Sequence, residues 1–138
     1  MPELKTKKTE SSVTDFLNAL PDPQVRKDCW TLAKLMQGAT KAKPKMWGSA
    51  IVGFGTRKLV YAGGRTADWM VIAFSPRKGK LVLYVLDDSD RYDALLAKLG
   101  PHSGGKGCLY IKRLSDVHLP TLKKLIHASA AHRSKSSR

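Results

Sequence analysis

Carboxylates are scarce in this chain. Eleven Asp and Glu stand against 25 Lys and Arg among 138 residues, a formal net charge of +14. The terminal segments do not account for the surplus: residues 11–128 hold 19 Lys and Arg against 9 Asp, an excess of 10. Such a basic body attracts polyanions through counterion release, and it offers a hard cation few of the converging oxygens it needs. No apolar run reaches the roughly 18 residues of a membrane-spanning helix. The opening residues, Met1 to Lys8, lack the apolar stretch of a secretory leader. A cytoplasmic location and no membrane partner are the expectations. Cysteine is limited to Cys29 and Cys108, which excludes a disulfide framework, and both are expected to be reduced, buried thiols.

The familiar catalytic and metal-binding patterns are missing too. Gly100 to Lys106 satisfies the spacing of a phosphate-binding G-x-x-x-x-G-K loop, but Gly107 stands where Ser or Thr must hold magnesium. The segment also runs from helix to strand, the reverse of that motif. It can be an anion-binding nest of backbone N–H groups with Lys106, or a plain connection. Asp87, Asp88, Asp90 and Asp93 miss the calcium-loop spacing and are read as the start of a helix. His102, His118, His127 and His132 have no zinc-site spacing with the two cysteines. No nucleophile–base pairing is evident in local sequence, so the chain is expected not to be an enzyme and to carry no cofactor and no metal.

What is present is a strong hairpin. Trp69–Phe74 and Leu81–Leu86 are runs of branched and aromatic residues around the polar turn Ser75 to Lys80. Both parities of Trp69–Phe74 are apolar, as in a strand covered on much of both faces, so this hairpin is expected at the centre of a sheet. Upstream, Ala50–Phe54, a turn at Gly55 to Lys58, and Leu59–Ala62 read as two more strands of an antiparallel meander. Gly63-Gly64 makes the next turn.

Helices flank the meander. Thr14 is read as the cap of a short first helix with Phe16, Leu17 and Leu20 inside. Asp22-Pro23 is a strong start signal for a second, whose apolar stripe is Val25, Cys29, Leu32, Ala33 and Met36, ending at Gly38. Lys41 to Lys45 is read as an extended basic loop. Tyr92, Leu95, Leu96 and Leu99 mark a third helix stopped by Gly100-Pro101. Cys108–Ile111 is a short strand, and Leu122, Leu125, Ile126 and Ser129 mark the inner face of a last helix begun near Pro120. The expected fold is α+β: one mainly antiparallel sheet of about five strands with helices packed on it, in the order ααββββαβα. Residues 1–12 and 131–138 are expected as basic tails around a domain of residues 13–130.

Met46-Trp47-Gly48, Gly53-Phe54-Gly55, Phe74 to Lys78, Leu81 to Tyr84 and Gly105 to Ile111, in that order, resemble the YdhG-like family of small bacterial domains, over roughly residues 10–128. The resemblance implies an α+β fold compared with frataxin. One member of that family is described as an iron chaperone, which would imply iron handling here. Frataxin-like iron binding uses an acidic ridge on the first helix and first strand. Here Thr14 to Gln37 holds only Asp15, Asp22 and Asp28, and no acid lies between Asp28 and Asp68. The family has no established catalytic residues to carry over.

Trp47, Trp69, Tyr61, Tyr84 and Tyr110 fall on or beside strands, where sheet packing accounts for them. They can also line an aromatic surface. The candidate ligand-binding set is Trp47, Trp69, Arg77, Lys78, Lys106 and Tyr110. The expected function is a non-enzymatic binding domain for an unidentified small ligand, an anionic one among the candidates, or a protein partner, most simply a monomer. A frataxin-like iron chaperone and a weak, charge-driven nucleic-acid binder are the alternatives.

Overall fold

In the computed structural model, residues 12–48, 50–60, 63–87, 90–105 and 107–135 are described. They form an α+β structure with one antiparallel sheet and helices packed on it. Helix α1 spans Val13–Asn18 and α2 Pro23–Thr40. Strand β1 is Pro44–Trp47, β2 Ile51–Val60, β3 Thr66–Arg77 and β4 Lys80–Tyr84. Helix α3 is Asp93–Leu99, β5 is Ser103–Gly105, β6 is Cys108–Ile111, and α4 is Leu119–Lys135 after a 3-10 turn at Leu114–Asp116. The strand order is β1-β2-β3-β4-β6-β5, every neighbouring pair antiparallel. The β3–β4 hairpin is central, as the two-sided apolar pattern requires.

Several elements differ from the sequence reading. The sheet has six strands among the described residues, because Ser103–Gly105, read as loop, pairs with Cys108–Tyr110. Ala50–Phe54 and Leu59–Ala62 are not two strands. Gly55 takes φ +74°, but the ladder to β3 resumes beyond it at Thr56↔Met70 and continues to Val60↔Thr66. Tyr61 and Ala62 lie outside the described residues. The meander keeps its strand number because Pro44–Trp47, which begins inside the supposed basic loop Lys41 to Lys45 and runs past it, forms the edge strand β1. Proline is tolerated at the first position of an edge strand, where no ladder N–H is needed. The central turn is tighter than expected: Arg77 pairs with Lys80, leaving Lys78-Gly79 as a two-residue connection with Gly79 at φ +78°.

The helix ends follow local chemistry. Asp22 Oδ1 accepts from the N–H groups of Gln24 at 2.8 Å and Val25 at 3.4 Å, with Pro23 in the first turn. Ser12, not Thr14, caps α1 through its hydroxyl. α2 runs past Gly38 to Thr40. Helix α3 begins at Asp93 with no side-chain cap; Asp87 instead pairs with Arg91 at 3.1 Å, and Asp88 lies outside the described residues. α4 continues to Lys135, so residues 131–135 are helix and not tail. Residues 1–11 and 136–138, the rest of the two expected tails, lie outside the described residues.

One core sits between the helices and one face of the sheet. Leu17, Leu32, Met36, Leu122, Leu125 and Ile126 meet Val52, Phe54, Ile72, Phe74, Leu83 and Leu109. Cys29 is buried there, and burial beside Asp28 pushes its thiol up to about 12. Cys108 is half-buried, contrary to expectation, because β6 alternates and turns it to the other face. No described helix is long and apolar enough to cross a membrane.

The helix-free face of the sheet

Register decides which side chains share the second face. Val52↔Phe74, Phe74↔Leu83 and Leu83↔Leu109 point to the helices. The alternate positions form rows on the opposite side: Gly53–Ala73–Tyr84, then Ser75–Val82–Tyr110, then Arg77–Lys80. A second cluster lies here, made of Trp47, Met70 and Ala73 with Ile51, Trp69 and Tyr84 against it. Every member is a strand residue.

Trp47 is the floor of this cluster. It is 1% exposed and lies over Gly53, where an added Cβ would stand 2.5 Å from its Cδ1 and 2.6 Å from its Nε1. Gly53 is therefore required by close approach of an indole. Trp69 meets Trp47 edge-on with ring centroids 6.0 Å apart and is itself half-buried. Among the described residues, the side chains that cover Trp47 in this cluster all come from strands.

Along the next rows the surface turns basic. Arg77 donates from Nη2 to the Tyr84 hydroxyl at 3.2 Å and from Nε to Ser75 Oγ at 3.1 Å. The buried Ser75 hydroxyl in turn donates to the Ala50 carbonyl at 2.6 Å. Lys80 Nζ stands 4.4 Å over the Tyr110 ring, a cation–π contact. Burial raises the Tyr84 phenol, opposed by the Arg77 charge, and burial raises the Cys108 thiol, opposed by a hydrogen bond with Tyr110 and by Arg133 and Arg77. Arg57 Nε donates to the Met70 carbonyl at 3.3 Å at the far end of β3.

Of the expected site residues, Trp47, Trp69, Arg77 and Tyr110 come to this one face. Trp47 is a support and cannot touch a ligand. Lys78 is exposed in the hairpin turn, and Lys106 lies outside the described residues, so the expected convergence of Arg77, Lys78 and Lys106 is not on view. Sequence reasoning missed Lys80 as a site residue because it spread the turn over six residues; read as a two-residue Lys78-Gly79 turn, it sets Arg77 opposite Lys80. Among the described residues no three His, Cys, Asp or Glu side chains gather to hold a metal ion. Comparison with known proteins finds no matching family model, no matching curated protein and no matching solved structure.

Proposed function

We propose that this chain is a binding domain, not an enzyme, and that its helix-free sheet face holds single-stranded nucleic acid. The observation that carries the reading is the sequence of rows on that face: half-exposed Trp69, Tyr84 and Tyr110 beside exposed Arg77 and Lys80. Aromatic rings on an open sheet accept bases by stacking whatever their sequence, while flanking cations take the backbone phosphates. The +14 net charge draws a polyanion toward the molecule. A mononucleotide is the one-unit form of the same ligand and matches the small anionic ligand that the sequence suggests. Membership of the YdhG-like group belongs to this proposal; a binding role without catalytic residues agrees with it.

The test is fluorescence anisotropy of labelled single-stranded oligonucleotides over a salt series. Saturable binding should weaken linearly in log–log form, with a slope of about −0.7 per phosphate neutralised. Tyr110→Ala should cost about 1–3 kcal/mol, as removal of a stacking ring does, and Arg77→Ala should shrink the slope. Affinity unchanged in both variants, or tighter binding to duplex than to single strands, rejects the reading.

A further inference from the structure

Away from the sheet face, α2 and α4 enclose a surface groove of about 480 Å³ lined by Lys34, Leu35, Gly38, Lys41, Lys123 and His127. Lys34, Lys41 and Lys123 line it, none with an ion-pair partner among the described residues, and none of the described lining residues is a carboxylate. Like charges gathered without a counterion repel one another, so the arrangement favours an anion among them.

Two residue choices in this groove run against the helix that carries them. Gly38 sits inside α2 with an ordinary helical φ, and a Cβ built on it meets nothing within 4 Å. Neither conformation nor packing asks for glycine in this last turn of α2, and glycine has poor helix propensity. Three residues on, the helix ends at Lys41, the one non-glycine residue with positive φ among those described, at +61°. That left-handed C-terminal position is where glycine is most favoured and a side chain is strained. A cation near a helix C-terminus is electrostatically welcome, but that does not require it at the strained position. The glycine keeps the groove wall bare and the lysine puts a charge at its rim. Where local choices oppose the fold at two positions of one concavity, function is the usual reason.

We infer that the α2–α4 groove is a second anion site, separate from the sheet face, that takes a compact, multiply charged phosphate such as a phosphorylated small molecule. Leu35 and the bare backbone at Gly38 leave room for the body of the ligand, and the three lysines take its charges. The inference does not rest on the nucleic-acid reading, since it uses none of Trp69, Arg77, Lys80, Tyr84 or Tyr110.

The experiment uses inorganic pyrophosphate, with chloride at matched ionic strength as control, read by thermal melting and by isothermal titration calorimetry. Lys41→Gly and Gly38→Leu should each melt higher than the parent in chloride, because each replaces an unfavourable helix residue by a favourable one. Both should lose the pyrophosphate-induced rise, and Lys123→Ala should bind pyrophosphate about tenfold more weakly, the loss of one charge-assisted contact. Oligonucleotide affinity should be unchanged in all three, which separates this site from the sheet face. The inference is overturned if the parent shows no anion-specific rise, if Lys41→Gly and Gly38→Leu keep it, or if the three variants lose oligonucleotide binding instead, which would make the groove part of a nucleic-acid track.

Discussion

The guanidinium of Arg133, near the end of α4, donates from Nη1 to the carbonyl of Val71 in the middle of β3 at 2.9 Å, across 62 positions of sequence. The same Nη1 reaches the Tyr84 carbonyl at 2.7 Å, and Nη2 reaches the Leu86 carbonyl at 2.7 Å. These acceptors lie where β4 leaves the sheet: the last β3–β4 partner is Ala73↔Tyr84, and beyond it the two chains separate. Arg133 fills the fork. It is 8% exposed, and burial, with Arg57 nearby, pulls its guanidinium down to about 10. It stays charged at neutral pH, as three carbonyl acceptors require.

Arg133→Ala should therefore destabilise the fold by at least about 3 kcal/mol, since it strips three main-chain carbonyls, two of them in buried contacts, of a charged donor. Arg133→Lys keeps the charge but not the fork geometry, and should recover less than half of the loss. Urea denaturation of the two variants is the measurement. A cost under about 1 kcal/mol for the alanine variant would mean that water replaces the guanidinium without penalty.

Gly53→Ala should be destabilising by about 1–3 kcal/mol, the range for overpacking, because its methyl group would overlap the Trp47 indole. The effect should shrink in a Trp47→Leu background, where the flat ring is gone. Tryptophan fluorescence of Gly53→Ala should shift to the red as Trp47 is lifted toward solvent. Equal costs in both backgrounds would place the strain elsewhere.

Asp28 is 5% exposed and joins two distant segments. Its Oδ1 accepts from Gln24 Nε2 at 2.8 Å and its Oδ2 from the Leu114 N–H at 3.1 Å. Asp28→Ala leaves that buried N–H without a partner and should cost about 1–3 kcal/mol. Asp28→Asn retains one acceptor oxygen and should cost clearly less. Hydrogen exchange at the Leu114 amide tells the two apart: fast in the alanine variant, protected in the other.

Alkaline stability should report on Cys29. Its folded value is raised from 9.0 to about 12. A raised value means the folded state keeps the thiol protonated while the unfolded chain ionises it. The contribution is whole below pH 9 and is lost as pH climbs from 9 toward 12, by up to about 1.4 kcal/mol per pH unit. Unfolding free energy should fall over that interval, and Cys29→Ala should flatten the fall even though its stability at neutral pH is lower. In native buffer Cys108 should react with a thiol reagent well before Cys29, being half-buried where Cys29 is fully covered. Parallel pH profiles for parent and Cys29→Ala would count against the assignment.

Much of the fold is legible in short stretches. Asp22-Pro23 caps a helix by itself, because the cap and the residues it serves are neighbours. The stripe of Cys29, Leu32, Ala33 and Met36 and the two apolar parities of β3 announce a buried helix face and a central strand through periodicity alone. The same logic extended one step further along α4, past Leu122, Leu125, Ile126, Ser129 and Ala130, puts the next inner position at 133. An arginine there reads as the start of a basic tail, since only the carbonyls of β3 and β4 make its burial favourable.

Local sequence thus determined the α+β class, the central hairpin and the start of α2 at Asp22-Pro23, because caps, turns and apolar periods act over a few residues. Tertiary structure decided the rest. It joined two supposed strands into β2 across Gly55, since twelve-residue β3 supplies a partner along the whole length. It made Trp47 a buried support over Gly53 while leaving Tyr110 within reach of solvent under Lys80. It gathered Lys34, Lys41 and Lys123 into one groove from two helices. Each of these depends on which residues far apart in the chain become neighbours, and that is set by register and helix packing over the whole domain, not by the chemistry of any one segment.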